Sequence, residues 1–157
     1  MTESMVRGGH VAPEEGEALW IGGEHLTIKV RGADTAGAVA LLEDTVEPGY
    51  GPPPNIHLHE NEAFYVISGE FTFTVGDDTI TAPAGTVAIV PKGQLHTFQN
   101  VGTEPGKLLA VVWPAMAFEA FVSEVGTPEP PTGPPDIEKL LQAAARHGIA
   151  VPPVADS

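Results

Sequence analysis

The sequence holds six histidines, His10, His25, His57, His59, His96 and His147. Three of them, His57, His59 and His96, fall in strand-and-turn contexts close to acidic residues. On a strand, His57 and His59 point to the same side as Asn55, because side chains alternate. Glu62 follows after a break, just before the apolar run from Ala63 to Ile67. Neutral imidazoles and a carboxylate converging inside a barrel hold a divalent first-row metal, and a nitrogen–oxygen donor set without sulfur suits Fe, Mn, Ni, Cu, Co or Zn about equally. The plainer alternative is a solvated strand face, since histidine is as much at home at a surface as inside. His10, His25 and His147 have no acidic or histidine neighbour at a spacing useful for chelation, so no role is assigned to them.

Composition removes competing chemistries. The chain lacks Cys, which excludes disulfides, thiolate zinc sites and cysteine nucleophiles together. Its formal net charge of −14, on only 7 Lys and Arg residues, argues against nucleic acid or an anionic membrane as partner. Met1 to Trp20 contains Glu3, Glu14, Glu15 and Glu17 and no apolar stretch of the kind a secretory signal needs. The longest apolar run, Leu108 to Trp113, falls far short of a membrane span. The expected compartment is therefore the cytoplasm and the expected partner a small molecule.

The elements that must position these residues are mostly short strands. Gly 18 and Pro 16 make up about a fifth of the 157 residues, about twice average usage, while hydrophobic residues still reach 42%. Many tight turns between short apolar runs imply an all-β chain. Trp20-Ile21, Leu26 to Val30 and Ala38 to Val46 read as strands, the last with Val39, Leu41 and Glu43 on one face. Pro48 to Pro54 is a rigid loop that cannot be sheet. Strands are then expected over Ile56 to His59, Ala63 to Ser68, Glu70 to Val75, Thr79 to Thr81, Thr86 to Val90, Leu95 to Val101 and Lys107 to Trp113. Phe118, Phe121, Val122 and Val125 have helical spacing, and Asp136 caps a second helix with a stripe of Ile137, Leu140, Leu141 and Ala144. The chain divides into a polar arm over 1–18, a barrel with a short helix over 19–127, and a proline-rich linker with a final helix over 128–157.

Two segments resemble the paired motifs of the cupin superfamily. The first reads Gly49, then Tyr-Gly-Pro-Pro-Pro, then Asn55-Ile56-His57, four residues, Glu62, six residues and Gly69. The second reads Gly85, five residues, Pro91-Lys92-Gly93, two residues, His96, three residues and Asn100. The likeness extends through the Pro52 to Pro54 loop and the final helix to the single-domain cupins of the quercetin dioxygenase-like group. It implies a small double-stranded β-helix, or jelly-roll, barrel with short C-terminal helices, and a homodimer. One position departs from the pattern: Asn55 stands where the family has its first ligand histidine. The resemblance then implies a metal site of Asn55, His57, Glu62 and His96, with His59 as the alternative ligand if the register shifts. Phe64, Val66 and Phe98 share parity with Glu62 and His96 and are expected to line the substrate pocket.

The implied activity is that of a metal-dependent, dioxygenase-like enzyme acting on a small hydroxylated or enolisable substrate, aromatic ones included. Glu62 would be both ligand and base. Two other readings follow from Asn55. The barrel could bind a small ligand without catalysis at a degraded metal site, or it could carry out metal-assisted isomerase or lyase chemistry without oxygen.

Overall fold

A computed structural model describes residues 6, 8–115 and 117–153 of the chain. Strands β1 (Glu17–Ile21), β2 (Glu24–Val30) and β3 (Ala40–Val46) lead into the two-residue β4 (Ile56–His57). A regular series follows of β5 (Asn61–Ser68), β6 (Glu70–Val75), β7 (Asp78–Pro83), β8 (Val87–Val90), β9 (His96–Asn100) and β10 (Gly106–Trp113). Helices α1 (Phe118–Val125) and α2 (Ile137–Arg146) come next, and a short β11 (Ile149–Ala150) closes the described chain.

The strands form a six-stranded sheet in the order β1-β2-β3-β10-β5-β8, faced by a three-stranded sheet in the order β7-β6-β9. Every pairing is antiparallel. Crossovers such as β3 to β10 are those of a double-stranded β-helix, the all-β jelly roll expected from the sequence. Inward positions carry the core: Leu42, Val46, Val66, Phe71, Phe73, Leu108 and Val112 are each at most 1% exposed. Phe64, Phe73 and Phe98 meet with ring centroids 5.5–5.6 Å apart, a separation at which aromatic pairs attract.

On β3 the buried side chains are Ala40, Leu42, Asp44 and Val46, whereas Leu41, Glu43 and Thr45 are only partly buried. Both parities of this strand carry apolar residues because it lies in the interior of the sheet, between β2 and β10, so alternation alone does not choose its inner face.

The proline loop is stitched to β9 rather than hanging free. Gly49 N–H donates to Asn100 O at 2.9 Å, Asn100 N–H to Tyr50 O at 2.9 Å, and Thr97 Oγ1 to Pro52 O at 2.6 Å. Gly51 is required there, since a Cβ would fall 2.0 Å from Phe98 O. Asn100, fully buried, closes the end of this arrangement. Its amide donates to Val46 O and Glu104 O, both at 2.9 Å, and its Oδ1 accepts from Gly102 N–H at 2.9 Å. The last asparagine of the second motif is thus an anchor for two loops, the one after β3 and the one after β9.

The expected strand over Ile56 to His59 ends at His57, where the chain bends. The final helix does not trail away behind its linker. It packs against α1, and β11 pairs antiparallel with β4, Ile149 opposite His57 and Ala150 opposite Ile56.

Candidate metal centre and cavity

His57, Glu62 and His96 reach one point from three strands, β4, β5 and β9. One ligand atom from each lies within 4.8 Å of the others, and all three residues are buried. Glu62 Oε1 is 2.9 Å from His57 Nε2 and 3.3 Å from His96 Nε2. That oxygen is buried and accepts no well-aligned hydrogen bond. His96 Nδ1 lies 3.0 Å from Gln94 O, a partner that can only accept. The proton of a neutral His96 therefore sits on Nδ1, leaving the Nε2 lone pair directed at the cluster.

Backbone pairing fixes the donors in register. Asn55 and His96 exchange two hydrogen bonds of 3.0 Å each, and Gly93 N–H donates to His57 O at 2.8 Å. Glu60, 2% exposed, takes the Ala117 and Phe118 N–H groups at 3.1 and 3.0 Å at the start of α1. Its Oε1 also lies 3.8 Å from His57 Nδ1. The Phe118 ring packs 5.3 Å from the His57 ring, so the helix start and the imidazole share one support.

Burial alone would lower the His57 pKa, but the Glu60 and Glu62 carboxylates beside it raise it to about 9. Burial would raise Glu62, yet the two imidazoles pull it down to about 2. Without a metal the cluster holds itself together as an ion pair. Once the His57 proton is released, two imidazole nitrogens and a buried carboxylate converge on one point, a donor set that fits a divalent transition metal.

The cluster lies in the wall of a cavity of about 460 Å³. Ile21, Leu26, Phe64, Phe98 and Ala110 contribute apolar surface from the barrel, and Leu140, Ala144 and Ile149 from the C-terminal segment. The apolar stripe of α2 faces this space, which is why Ile137 and Leu141 remain 57% and 43% exposed.

Asn55 lines the same cavity, although its side-chain amide donates to Pro53 O at 3.0 Å. His59 stands apart from the cluster. It is exposed beyond the bend after β4, with its ring against Gly148. Among the expected pocket residues, Phe64 and Phe98 line the cavity, whereas Val66 is fully buried in the core and is not part of the lining. Three polar residues on the lining, Glu24, Asp44 and Thr97, were not singled out by the sequence; Tyr50, beside the proline loop, lines the cavity too. Glu60 was likewise missed. Its signal was a carboxylate between a motif histidine and the motif glutamate.

Comparisons with known proteins agree with this architecture. The family model of the cupin domain matches residues 42–112. Oxidoreductase OpS7 of Beauveria bassiana is 47% identical over 49 residues, a match covering 31% of this chain and 16% of that protein. The chain thus spans well under half the length of this curated relative. Among solved structures, KdgF from Halomonas sp. superimposes with a TM-score of 0.63 at 14% identity, covering 69% of this chain and 94% of that one. A protein described as a predicted oxalate decarboxylase, from Thermotoga maritima, gives 0.62 at 20% identity, covering 66% and 96%.

Proposed function

We propose, from the match of residues 42–112 to the family model of the cupin domain, that the chain is a metal-dependent enzyme for a small hydroxylated or enolisable substrate. The observation that carries this reading is the convergence of three buried donors, His57, Glu62 and His96, on the wall of a largely apolar cavity. Such a cavity is of ligand size. A divalent transition metal held there supplies a Lewis acid that favours the anionic form of a substrate hydroxyl or enol.

The chain's own groups do the rest. His96, fixed through Gln94 O, and His57, backed by Glu60, hold their Nε2 atoms in place. Glu62 is the base, its carboxylate anionic at neutral pH and able to take the hydroxyl proton. Phe64, Phe98 and Phe118 exclude water and favour a flat, apolar substrate body. The relative named an oxidoreductase supports redox chemistry; we take the dioxygenase type, in which both oxygen atoms enter the product and no external reductant is consumed.

Asn55 favours a second reading. A side-chain amide turned to Pro53 O offers the cluster less than an imidazole would, which suits a barrel that binds its ligand without turnover. Metal-assisted isomerase or lyase chemistry is the variant that uses no oxygen.

The deciding experiment is elemental mass spectrometry of the full chain purified without chelators. We expect near one equivalent of a transition metal, lost in His96→Ala and kept in His59→Ala. Oxygen uptake with hydroxylated aromatic acids then separates dioxygenase from lyase chemistry. Absence of metal after reconstitution with iron, manganese, nickel, copper, cobalt and zinc leaves the binding-only reading.

We also propose that the protein works as a homodimer, paired through the outer face of β5 and β8. This face carries exposed Tyr65, Ile67, Val87 and Ile89.

A further inference from the structure

The metal cluster is not the cavity's only polar feature. Glu24 on β2 and Asp44 on β3 line the same space from the adjoining part of the sheet. Sheet register separates Asp44 from the metal cluster, although Glu24 stays near enough to Glu62 for the two charges to repel. Asp44 is level with Leu108 and Val66, whereas Glu62 is level with Val112 and Ala40. Leu108 and Val112 are four residues apart on β10, about 13 Å along a strand at 3.3 Å per residue.

Asp44 is 2% exposed, and its Oδ1 is buried with no hydrogen-bond partner among the described residues. Burial raises both carboxyls above their ordinary values; repulsion from Glu24 and a side-chain hydrogen bond with it raise Asp44 further, so the two acids share a proton. Among the described residues no lysine or arginine lines the cavity, and its two lining histidines are engaged with Glu62. Tyr50 does not supply a counter-charge either. Its ring lies on the Gly22–Gly23 turn, so close that a Cβ at Gly23 would be 2.6 Å from its Cγ. Two acids held together without a cation, Asp44 buried and Glu24 half-buried, cost stability even when they share a proton, and the buried Asp44 Oδ1 with no donor needs an explanation. Facing an otherwise apolar cavity, it is explained by a bound molecule that brings the donor.

We propose that Glu24 and Asp44 form a second polar anchor in the cavity, accepting an O–H or N–H donor from the bound molecule. The ligand class is a small, mostly apolar molecule with two polar ends, an oxygen for the His57–Glu62–His96 cluster and a hydrogen-bond donor for Asp44. This inference rests on the reading of the cavity as the substrate site, but not on metal being bound.

The test uses the full chain, metal-loaded and metal-free, with three probes of one framework. These are 4-hydroxybenzyl alcohol, 4-(aminomethyl)phenol and 4-(methoxymethyl)phenol, the last with no donor at the variable end. Calorimetric titration is expected to show the alcohol or the amine binding at least about tenfold tighter than the methyl ether. Asp44→Leu should abolish that preference, and Glu24→Gln should reduce it while keeping the side-chain shape. Tighter binding of the amine marks the ligand group as a cation, and tighter binding of the alcohol marks it as neutral. Both outcomes support the anchor.

Melting gives a readout that needs no ligand. Asp44→Leu should raise the Tm of the free protein, because a group retained for binding is a stability liability. Equal binding of all three probes to wild type, or no binding of any at millimolar concentration, would overturn the anchor. A preference for the donor that persists without metal leaves the anchor standing even if the metal reading fails.

Discussion

At the scale of single residues, the metal-free cluster makes its own pH signature. His57 titrates at about 9 in the folded chain against 6.5 ordinarily, so its contribution to stability is complete below pH 6.5 and is lost as pH rises through 9. Glu62 titrates at about 2 against 4.5, so its contribution is complete above pH 4.5 and is lost as pH falls towards 2. The part of the stability that His57 and Glu62 contribute should therefore be greatest between about 4.5 and 6.5 and decline from there to 9, read in urea unfolding as the difference between the metal-free wild type and Glu62→Gln. A difference between wild type and Glu62→Gln that does not change with pH from 6.5 to 9 would detach His57 from the cluster. At Asn55 the expected gain runs the other way. Asn55→His should slow loss of metal to a chelator by about tenfold, since an imidazole is the better donor for a borderline metal. His57, Glu62 and His96 were legible in the sequence because each occupies a fixed place in a spaced motif. Asp44 was not, because β3 carries apolar residues on both parities and the strand's inner face is decided by its neighbours.

At the scale of elements, α1 begins where it does because Glu60 accepts the Ala117 and Phe118 N–H groups, which would otherwise be orphaned at a helix start. Glu60→Ala should cost about 1–3 kcal/mol in urea unfolding, the range for buried donors left without a partner. The same change should weaken metal retention, because Phe118 and His57 lose a common support. Glu60→Gln, which keeps one acceptor oxygen, should lie between. β11 is the element the sequence did not announce. Two residues, Ile149 and Ala150, have no periodicity, and what makes them a strand is the exposed edge of β4 waiting opposite. Gly148 permits the approach, with φ +69° and a space at its Cα where a Cβ would fall 2.7 Å from His59 Cδ2. Gly148→Ala is therefore expected to loosen β11. Hydrogen exchange at Leu58 N–H, which donates to Gly148 O at 2.9 Å, should speed up while exchange in β10 stays unchanged. The strands from β5 to β10 were legible because turns such as Gly76-Asp77 and Pro91-Lys92-Gly93 bracket them. The bend after His57 was not, and it is what sends His59 away from the cluster.

At the scale of the whole molecule, the outer face of the six-stranded sheet sets up an association with opposing terms. Tyr65 and Val87 are cross-strand partners, exposed 45% and 50%, and Ile89 beside them is 64% exposed. β8 is also the edge of its sheet, with backbone groups free on one side. A contiguous apolar patch on an edge strand favours a second copy of the chain, by side-chain burial and by strand pairing. Against this stands the formal charge of −14 on each chain, which makes two copies repel. Because salt screens the repulsion and leaves apolar burial intact, the proposed dimer should tighten as ionic strength rises. Light scattering at low and high salt measures this directly. Ile89→Glu should give the monomer mass in both conditions with an unchanged circular dichroism spectrum, since the side chain points away from the core. A wild-type chain that is monomeric at micromolar concentration in high salt would rule the dimer out. The cavity and its cluster lie on the inner side of the same sheet, so metal content of the Ile89→Glu monomer should equal that of the wild type.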